Sequence, residues 1–556
     1  MRLFALLILL LPAPLVAQQH SMRDLVSRYS TDRAAIERRW NIPLSQKAHL
    51  RRSAYLTKWE KRVAKIDFAT LDQEGQIDAR LLINRIEKDQ ANLKLAARRH
   101  AEMKPLLDFT ASVVALIESQ RDMEDPADQK IAATLNQAVK DLKSLKEELE
   151  PKKIKSTVGY RAAREIESLR RSLRSWYRFR NDYDPIFTWW VKRPYEVLST
   201  KLQSYAGFLR TEIAGVGANE TDALIGDPIG KDALQLALRA EFIPYTPQEL
   251  IAIAEREFAF CEKEQIRAAQ EMGLGDDWLK AQNAVKNLFV EPGEQPKLIR
   301  ELAHEAIQYV KDHELVTVPP LCEEIWRMNM MSPQRQRVTP YFTGGEVVSV
   351  AFPVSDMDHD EKLMSMRGNN RHFSRAVVHH ELIPGHQLQQ FMTARHRPWR
   401  STFRTPFWIE GWALYWEMQL WDRGFAKSPE DRLGMLFWRK HRCARIIFSL
   451  SFHLGTRTAE ECVDLLVERV GHERRNARAE VRRSIIGTYP PLYQAAYMLG
   501  GLQIKSLHSE FVKTGTMNER SFHDLVLKQN AIPIEFIRAV LLKTKVTRDF
   551  TTSWRF

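Results

Sequence analysis

From about Ser21 to Ala240 the apolar residues recur three and four places apart between charges and almost never alternate, which commits this half of the chain to helices. Segments such as LDQEGQIDARLLINRIEKDQANLKLAARRH and AATLNQAVKDLKSLKEELE each offer one apolar stripe and one charged face. Single helices of this kind are marginal in water, so a run of them is stable only when packed together. With 556 residues, 44% of them hydrophobic, the chain can bury one large core or two. FRNDYDPIFTWWVKRPYEV and GVGANETDALIGDPIG carry the Pro, Gly, Asn and Asp residues of loops or helix boundaries. A second part opens near Pro244, where YTPQELIAIAEREFAFCEKE places Thr246 as an N-cap with Glu249 three residues on, a capping box. The expected organisation is an N-terminal helical region over 18–243 and a second region over 244–556.

The first residues, MRLFALLILLLPAPLVAQQ, have a basic start at Arg2, an apolar run from Leu3 to Val16 and then Ala17 before Gln18. This is the pattern of a secretory signal peptide over 1–17, cleaved after Ala17, with a periplasmic or secreted destination. Pro12 and Pro14 keep the apolar run below spanning length, so no stable membrane insertion is expected once it is cleaved. The four cysteines, Cys261, Cys322, Cys443 and Cys462, are too few for a disulfide framework; one bond, Cys443 to Cys462, or buried free thiols both fit. The net charge of +13 would suggest nucleic acid in a cytoplasmic chain. Here the cations are interleaved with acids along helices, which is the pattern of a solvated face, and nucleic acid is not expected as a partner.

VTPYFTGGEVVSVAFPV, Val338 to Val354, breaks the helical pattern with a turn followed by a strand. It could receive a peptide backbone by strand addition or pack as a plain hairpin. Just downstream stands VVHHELIPGHQLQQ. The dipeptide HE occurs four times in the chain, but only His380-Glu381 has another histidine a few residues on, at His386. An uninterrupted helix turns about 100° per residue, so His380 and His386 would diverge by roughly 120°. Pro384 cannot continue a regular helix, because it lacks an N–H and its ring meets the carbonyl of residue 380, while Gly385 gives the backbone freedom. If these two residues loop out, HELIH remains, which is HExxH: two imidazoles for zinc and Glu381 facing the bound water. His379 points about 100° away and is expected to pack or to support a ligand.

A catalytic zinc needs a third protein ligand and one open position. Glu410, in the strongly helical and very apolar FWIEGWALYWEMQLWD, lies 24 residues after His386, enough for a turn and an antiparallel return. A carboxylate among Trp408, Trp412 and Trp416 needs a partner, and zinc would be one; the alternative is a solvated acid at a helix N-terminus. Glu417 falls seven residues later on roughly the same face.

HHELIPGHQLQ followed by EGWALYWE resembles the DUF885 family of bacterial, mostly exported zinc-peptidase-like proteins, with the pattern HExxPGHxxQ and then EGWALYxE. The likeness spans nearly the whole mature chain and is similar in turn to gluzincin metallopeptidases. It implies a mainly α fold: a large helical protein with a deep cleft and a small β-sheet or hairpin beside the metal-binding helix, the two regions packing as one unit. It implies His380, His386 and Glu410 as ligands of one Zn2+ per chain and Glu381 as general base. RIIFSLSFH matches an Arg-x-x-x-Asp-x-x-x-His string at Arg445 and His453, with Ser449 in place of the acid. EVRRSIIGTYPPLYQAAYMLGGLQ matches an arginine followed by PGQAxxYxxG at Arg483, Gln494, Tyr497 and Gly500, with Pro491-Leu492-Tyr493 in place of the Pro-Gly step.

Peptide hydrolysis at one zinc needs an open metal, a base, an oxyanion donor and a groove for the chain. For the donor Tyr497 is the first candidate, His453 the second and Tyr493 the third, each with an ordinary packing role as its alternative. The expectation is therefore a zinc metallopeptidase acting on peptides. A zinc hydrolase of a non-peptide or cell-wall amide is the alternative within the same chemistry, and a non-catalytic zinc-binding scaffold or sensor the alternative outside it.

Overall fold

The computed structural model describes residues 15–220, 223–336, 341–487 and 489–556, with side chains from residue 22 onward. The first 14 residues of the expected signal peptide lie outside the described residues, as do positions 338–340 of the expected strand segment. Helices α1 (Leu15–Arg39), α2 (Gln46–Val63) and α3 (Gln73–Met103) open the chain, followed by α4 (Ala111–Arg121), α5 (Asp128–Glu148), α6 (Ser156–Arg180) and α7 (Pro185–Phe208). After α8 (Lys231–Ala240) come α9 (Pro247–Glu271), α10 (Trp278–Lys286), α11 (Gln295–Asp312) and the short α12 (Pro320–Ile325). The only two strands among the described residues, β1 (Arg327–Met330) and β2 (Val347–Val350), flank the one-turn α13 (Pro333–Gln336). Then follow α14 (His359–Gly368), α15 (Arg371–Glu381), α16 (His386–Arg395), α17 (Pro406–Asp422), α18 (Pro429–Leu454), α19 (Ala459–Leu465), α20 (Arg474–Ile485), α21 (Tyr493–Phe511), α22 (Glu519–Lys528) and α23 (Ile534–Leu541).

Local chemistry explains many of these boundaries. Thr246 and Glu249 form the expected capping box at the start of α9. Asp184 caps α7 by accepting the Phe187 N–H, and Pro185 takes the first helical position, where its missing N–H costs nothing. Pro194 does not end this helix; it sits inside α7 as a buried residue, so the tertiary packing of that face outweighs one lost backbone hydrogen bond. Val347–Val350 pairs in parallel with Arg327–Met330, and within the same segment Thr343 and Ser349 exchange backbone hydrogen bonds at 3.1 and 2.9 Å as an antiparallel bridge, so a tight turn closes locally while the strand itself finds its partner upstream.

One apolar core draws α1, α2 and the first half of α3 together with α8 to α12, β2 and α15 to α23, so it runs across position 244. A second is confined to residues between Ile42 and Ile213, mainly α4 to α7. Within the main core α17 is buried almost continuously from Phe407 to Leu420, with Trp408, Trp412 and Trp416 wholly enclosed. A helix that is apolar all round has no solvent face and must lie at the centre. Close glycine contacts seat its neighbours. A Cβ on Gly500 of α21 would fall 1.9 Å from the Phe407 carbonyl oxygen, and one on Gly411 would fall 2.6 Å from Gly500. A Cβ on Gly434 of α18 would fall 2.2 Å from the His372 oxygen at the start of α15. These backbones touch because no side chain separates them. The four cysteines are free and buried, so the Cys443–Cys462 bond does not form; packing alone accounts for them.

Candidate metal centre

The helix carrying HHELIPGH is broken at the Pro-Gly pair, and more completely than a two-residue bulge requires. α15 ends at Glu381 and α16 starts at His386, with Leu382–Gly385 between them outside any helix. The Ile383–Pro384 peptide is cis, and the Gln387 N–H reaches back five residues to the Leu382 carbonyl at 2.9 Å. Gly385 is required by proximity, not by a left-handed backbone: its φ is −76°, and a Cβ there would lie 1.9 Å from the His380 carbonyl oxygen. Trp412 Nε1 donates to the Pro384 carbonyl at 2.9 Å, pinning the connector to α17.

The break returns His386 to His380, whose ring centroids stand 4.9 Å apart. From α17, Glu410 Oε2 lies 3.3 Å from His386 Nε2 and 3.8 Å from His380 Nε2. One nitrogen or oxygen from each of the three residues falls within 4.8 Å of the others. Ligand atoms ~2.1 Å from a tetrahedral zinc are roughly 3.4 Å apart, so the donor set fits that ion. The hydrogen bonds behind the imidazoles agree. His380 Nδ1 faces Glu417 Oε1 at 2.7 Å, and His386 Nδ1 faces Gln389 Oε1 at 3.2 Å. Gln389 Nε2 donates to the carbonyls of Trp408 and Ile409, which fixes its oxygen toward His386. With each Nδ1–H held by an acceptor, both Nε2 lone pairs turn to the shared point. Glu417, seven residues after Glu410 on α17, thus supports a ligand from the same helix face.

Burial alone would raise the Glu410 carboxyl, yet the two imidazoles hold it well below the ordinary carboxylate range. His386 is pushed the other way: against the cost of burial, Glu410 raises it to about 9. Without a metal a proton would share the space between them, and the two compete for the same lone pair. His379 is wholly buried against Phe425, and burial lowers it to about 3. It takes no place in the donor set and packs, as its angle on the helix predicts.

Glu381, the last residue of α15, is held by the segment leading into β2. Gly344 N–H donates to Glu381 Oε2 at 2.7 Å, and Gly345 N–H to its backbone oxygen at 3.0 Å. A Cβ on Gly344 would lie 2.3 Å from the Glu381 Cβ, so the glycine pair is what lets this segment reach the metal helix.

The candidate donors separate clearly. Tyr493 is at the cluster, its hydroxyl donating to Glu410 Oε1 at 2.5 Å. Tyr497, one turn on along α21, lies parallel to the His380 ring with centroids 6.1 Å apart. Burial and then Glu410 raise Tyr497 to about 12, and Tyr493 is raised further, so both are protonated donors at neutral pH. His453 is not brought to the site. Arg442 of α18 stands 4.8 Å over the Tyr497 ring, and His453 is eleven residues farther, roughly 16 Å along the same helix. There it packs beside Phe452, its carbonyl accepting the Gly230 N–H.

A second His/Glu group, His508, Glu519 and His523, also brings one donor atom from each residue within 4.8 Å of the others. Its hydrogen bonds account for it without one. His523 Nδ1 lies 2.7 Å from the Leu315 carbonyl, which only accepts, so that nitrogen carries its proton and has no lone pair to give. Its Nε2 meets the Tyr415 hydroxyl at 2.8 Å, and His508 Nε2 meets Glu519 at 2.9 Å. A pocket of about 400 Å³ lined by Tyr341, Phe373, His472 and Arg367 lies off the donor set, bordered by the start of α15.

Around Tyr497 the structure adds charged residues whose grouping the sequence did not reveal. The Arg445 and Arg442 guanidinium carbons lie 4.5 and 4.8 Å from its ring centre, and Arg442 also stands 3.7 Å from Glu417. Glu480 of α20 accepts from Arg445 Nε and Arg483 Nε, each at 2.7 Å, and these cations hold it far below the ordinary carboxylate range despite burial. With Ser449 in place of an acid on α18, Arg445 takes its carboxylate from α20. The run of arginines on one face of α18, at 442 and 445, was the available signal.

No curated protein matches the chain. Among solved structures, a putative lipoprotein of unknown function from Shewanella oneidensis shares the fold with a TM-score of 0.70 at 14% identity, covering 94% of this chain and 99% of that one. A putative lipoprotein from Colwellia psychrerythraea follows with a TM-score of 0.59 at 15% identity, covering 94% and 98%. A family model described as a bacterial protein of unknown function, DUF885, matches residues 28–541, and the chain belongs to that family.

Proposed function

We propose that this chain is an exported zinc-dependent metallopeptidase. The observation that carries the reading is the convergence of His380 Nε2, His386 Nε2 and Glu410 Oε2, each backed by its own partner, beside a carboxylate, Glu381, that is not part of the donor set. A zinc ion held there would polarise a carbonyl and lower the pKa of its water towards about 7. Glu381 would take a proton from the attacking water and pass it to the leaving amine, its carboxylate held by the N–H of Gly344. Tyr493, whose hydroxyl rests on Glu410, donates to the developing oxyanion, with Tyr497 behind it. Export is supported by the signal-like N-terminus and by the description of both structural neighbours as lipoproteins. No helix among the described residues is long and apolar enough to cross a membrane.

The test is zinc content and cleavage of a mixed peptide library by the wild-type protein, Glu381→Gln and His386→Ala. Expected are one zinc per wild-type chain, zinc retained but cleavage lost in Glu381→Gln, and both lost in His386→Ala. A metal-free wild type, or cleavage that survives in both variants, overturns the reading.

A further inference from the structure

The guanidinium groups beside the metal centre exceed the carboxylates that pair with them. Arg442 and Arg445 lie over Tyr497 of α21 and Arg483 over Tyr489 just before it, with Glu480 and Glu417 as their acids. Glu417 is already committed to His380 at 2.7 Å. Arg445, only 3% exposed, has Nε on Glu480 but a buried Nη1 without a hydrogen-bond partner. Arg442, 6% exposed, likewise leaves a buried Nε unpartnered. A buried donor without an acceptor is costly, more so when it is charged. Both atoms are closed to solvent, so an anion that arrives with the substrate can meet this acceptor-poor cluster only at a guanidinium that is still exposed.

Arg483 is where that anion can enter. Its Nε is anchored by Glu480, while its side chain remains 32% exposed, and its guanidinium carbon stands 5.7 Å from the Tyr489 ring centre. Tyr489 stacks on Tyr493 at 4.3 Å, and Tyr493 reaches Glu410. One ladder of rings therefore leads from the metal ligand to an anchored, half-open guanidinium. An extended peptide advances ~3.4 Å per residue, so no more than about four residues cover that ladder.

We infer that Arg483, with Arg445 behind it, forms a subsite for the C-terminal carboxylate of a peptide. Resting on the peptidase reading above, this makes the enzyme one that removes a short C-terminal fragment of up to about four residues. An arginine fork on a carboxylate supplies both charge and two parallel hydrogen bonds, which an amide terminus cannot match.

Binding separates this inference from the question of turnover. An N-blocked penta-alanine with a free carboxylate and the same peptide as its C-terminal amide are titrated calorimetrically into zinc-loaded Glu381→Gln. The free acid is expected to bind about 10- to 100-fold more tightly, the range of a charged hydrogen-bonded pair. Adding Arg483→Gln should erase the preference with the thermal midpoint and zinc content kept, and Arg483→Lys should restore part of it. Equal affinity for acid and amide, or no affinity for either, overturns the subsite whether or not wild type cleaves peptides. Where wild type does cleave, mass spectrometry should show fragments of at most about four C-terminal residues, and kinetics a rise in KM, more than a fall in kcat, for Arg483→Gln. Internal cleavage of amidated peptides at the same rate overturns the subsite while leaving the peptidase reading intact.

Discussion

Replacing Gly385 by alanine tests the geometry that joins the two histidines. The new Cβ would stand 1.9 Å from the His380 carbonyl oxygen, 2.4 Å from the His380 carbonyl carbon and 2.5 Å from the His379 oxygen. All three atoms are backbone, so no side chain can swing aside; the connector must move by at least about 1 Å to reach an ordinary contact distance. Overpacking of this kind costs about 2–3 kcal/mol. For a chain of this size the unfolding entropy makes 1 kcal/mol worth about 1 °C, so the thermal midpoint should fall by roughly 2–3 °C. The larger effect should be on metal. Ligand distances tolerate only ~0.2 Å, so an imidazole displaced by ~1 Å no longer shares the ion, and zinc per chain should fall far below that of wild type. Gly207→Ala serves as the control, because nothing lies within 4 Å of its Cβ position in α7 and the helix should gain about 0.5–1 kcal/mol. Scanning calorimetry and elemental analysis read both quantities. Full zinc content with an unchanged midpoint in Gly385→Ala would refute the claim that this glycine holds His380 and His386 together.

Three further outcomes follow from the same geometry. Glu417→Gln removes the carboxylate behind His380 Nδ1 and should weaken zinc binding about 10- to 100-fold in a competition with a chromogenic chelator; unchanged affinity would deny Glu417 its supporting role. Tyr493→Phe should lower kcat about 100-fold with KM little changed, and Tyr497→Phe should lower it less, since only Tyr493 reaches Glu410; the reverse order would return the donor role to Tyr497. Glu535 is buried and its carboxyl is raised to about 6. A raised acid contributes no penalty below the unfolded value near 4.5, and the penalty grows as pH rises through 6. Glu535→Gln should therefore stabilise the protein by roughly 1–2 kcal/mol above pH 6 and by nothing at pH 4, as read from denaturation midpoints at the two pH values. Equal effects at both would sink the assignment.

The cluster of His380, His386 and Glu410 was legible because its information is local. Helix arithmetic at His380 and His386 demands a break, and Pro384-Gly385 is the one place that provides it. An acid at position 410 amid tryptophans demands a partner. The same local logic gave the helical class and the α9 capping box. It failed where several elements decide together. Tyr497 and His453 stand as first and second candidates in sequence, but the straight run of α18 carries His453 past the site while α21 delivers Tyr497 to it.

By itself, then, the sequence determined the helical class, the need for a break between His380 and His386 and the need of Glu410 for a partner, because periodicity, proline sterics and the cost of a buried charge act within a few residues. Only the tertiary structure decided which tyrosine touches Glu410, what holds Glu381, and that three arginines gather beside the centre. Those depend on the close contact of α17 with α21 through Gly411 and Gly500, and on Gly344 reaching Glu381 across 37 residues of chain. Spacing along a sequence does not encode how near two backbones can come; the missing side chains of glycine hint at it, and only the folded packing shows which surfaces meet.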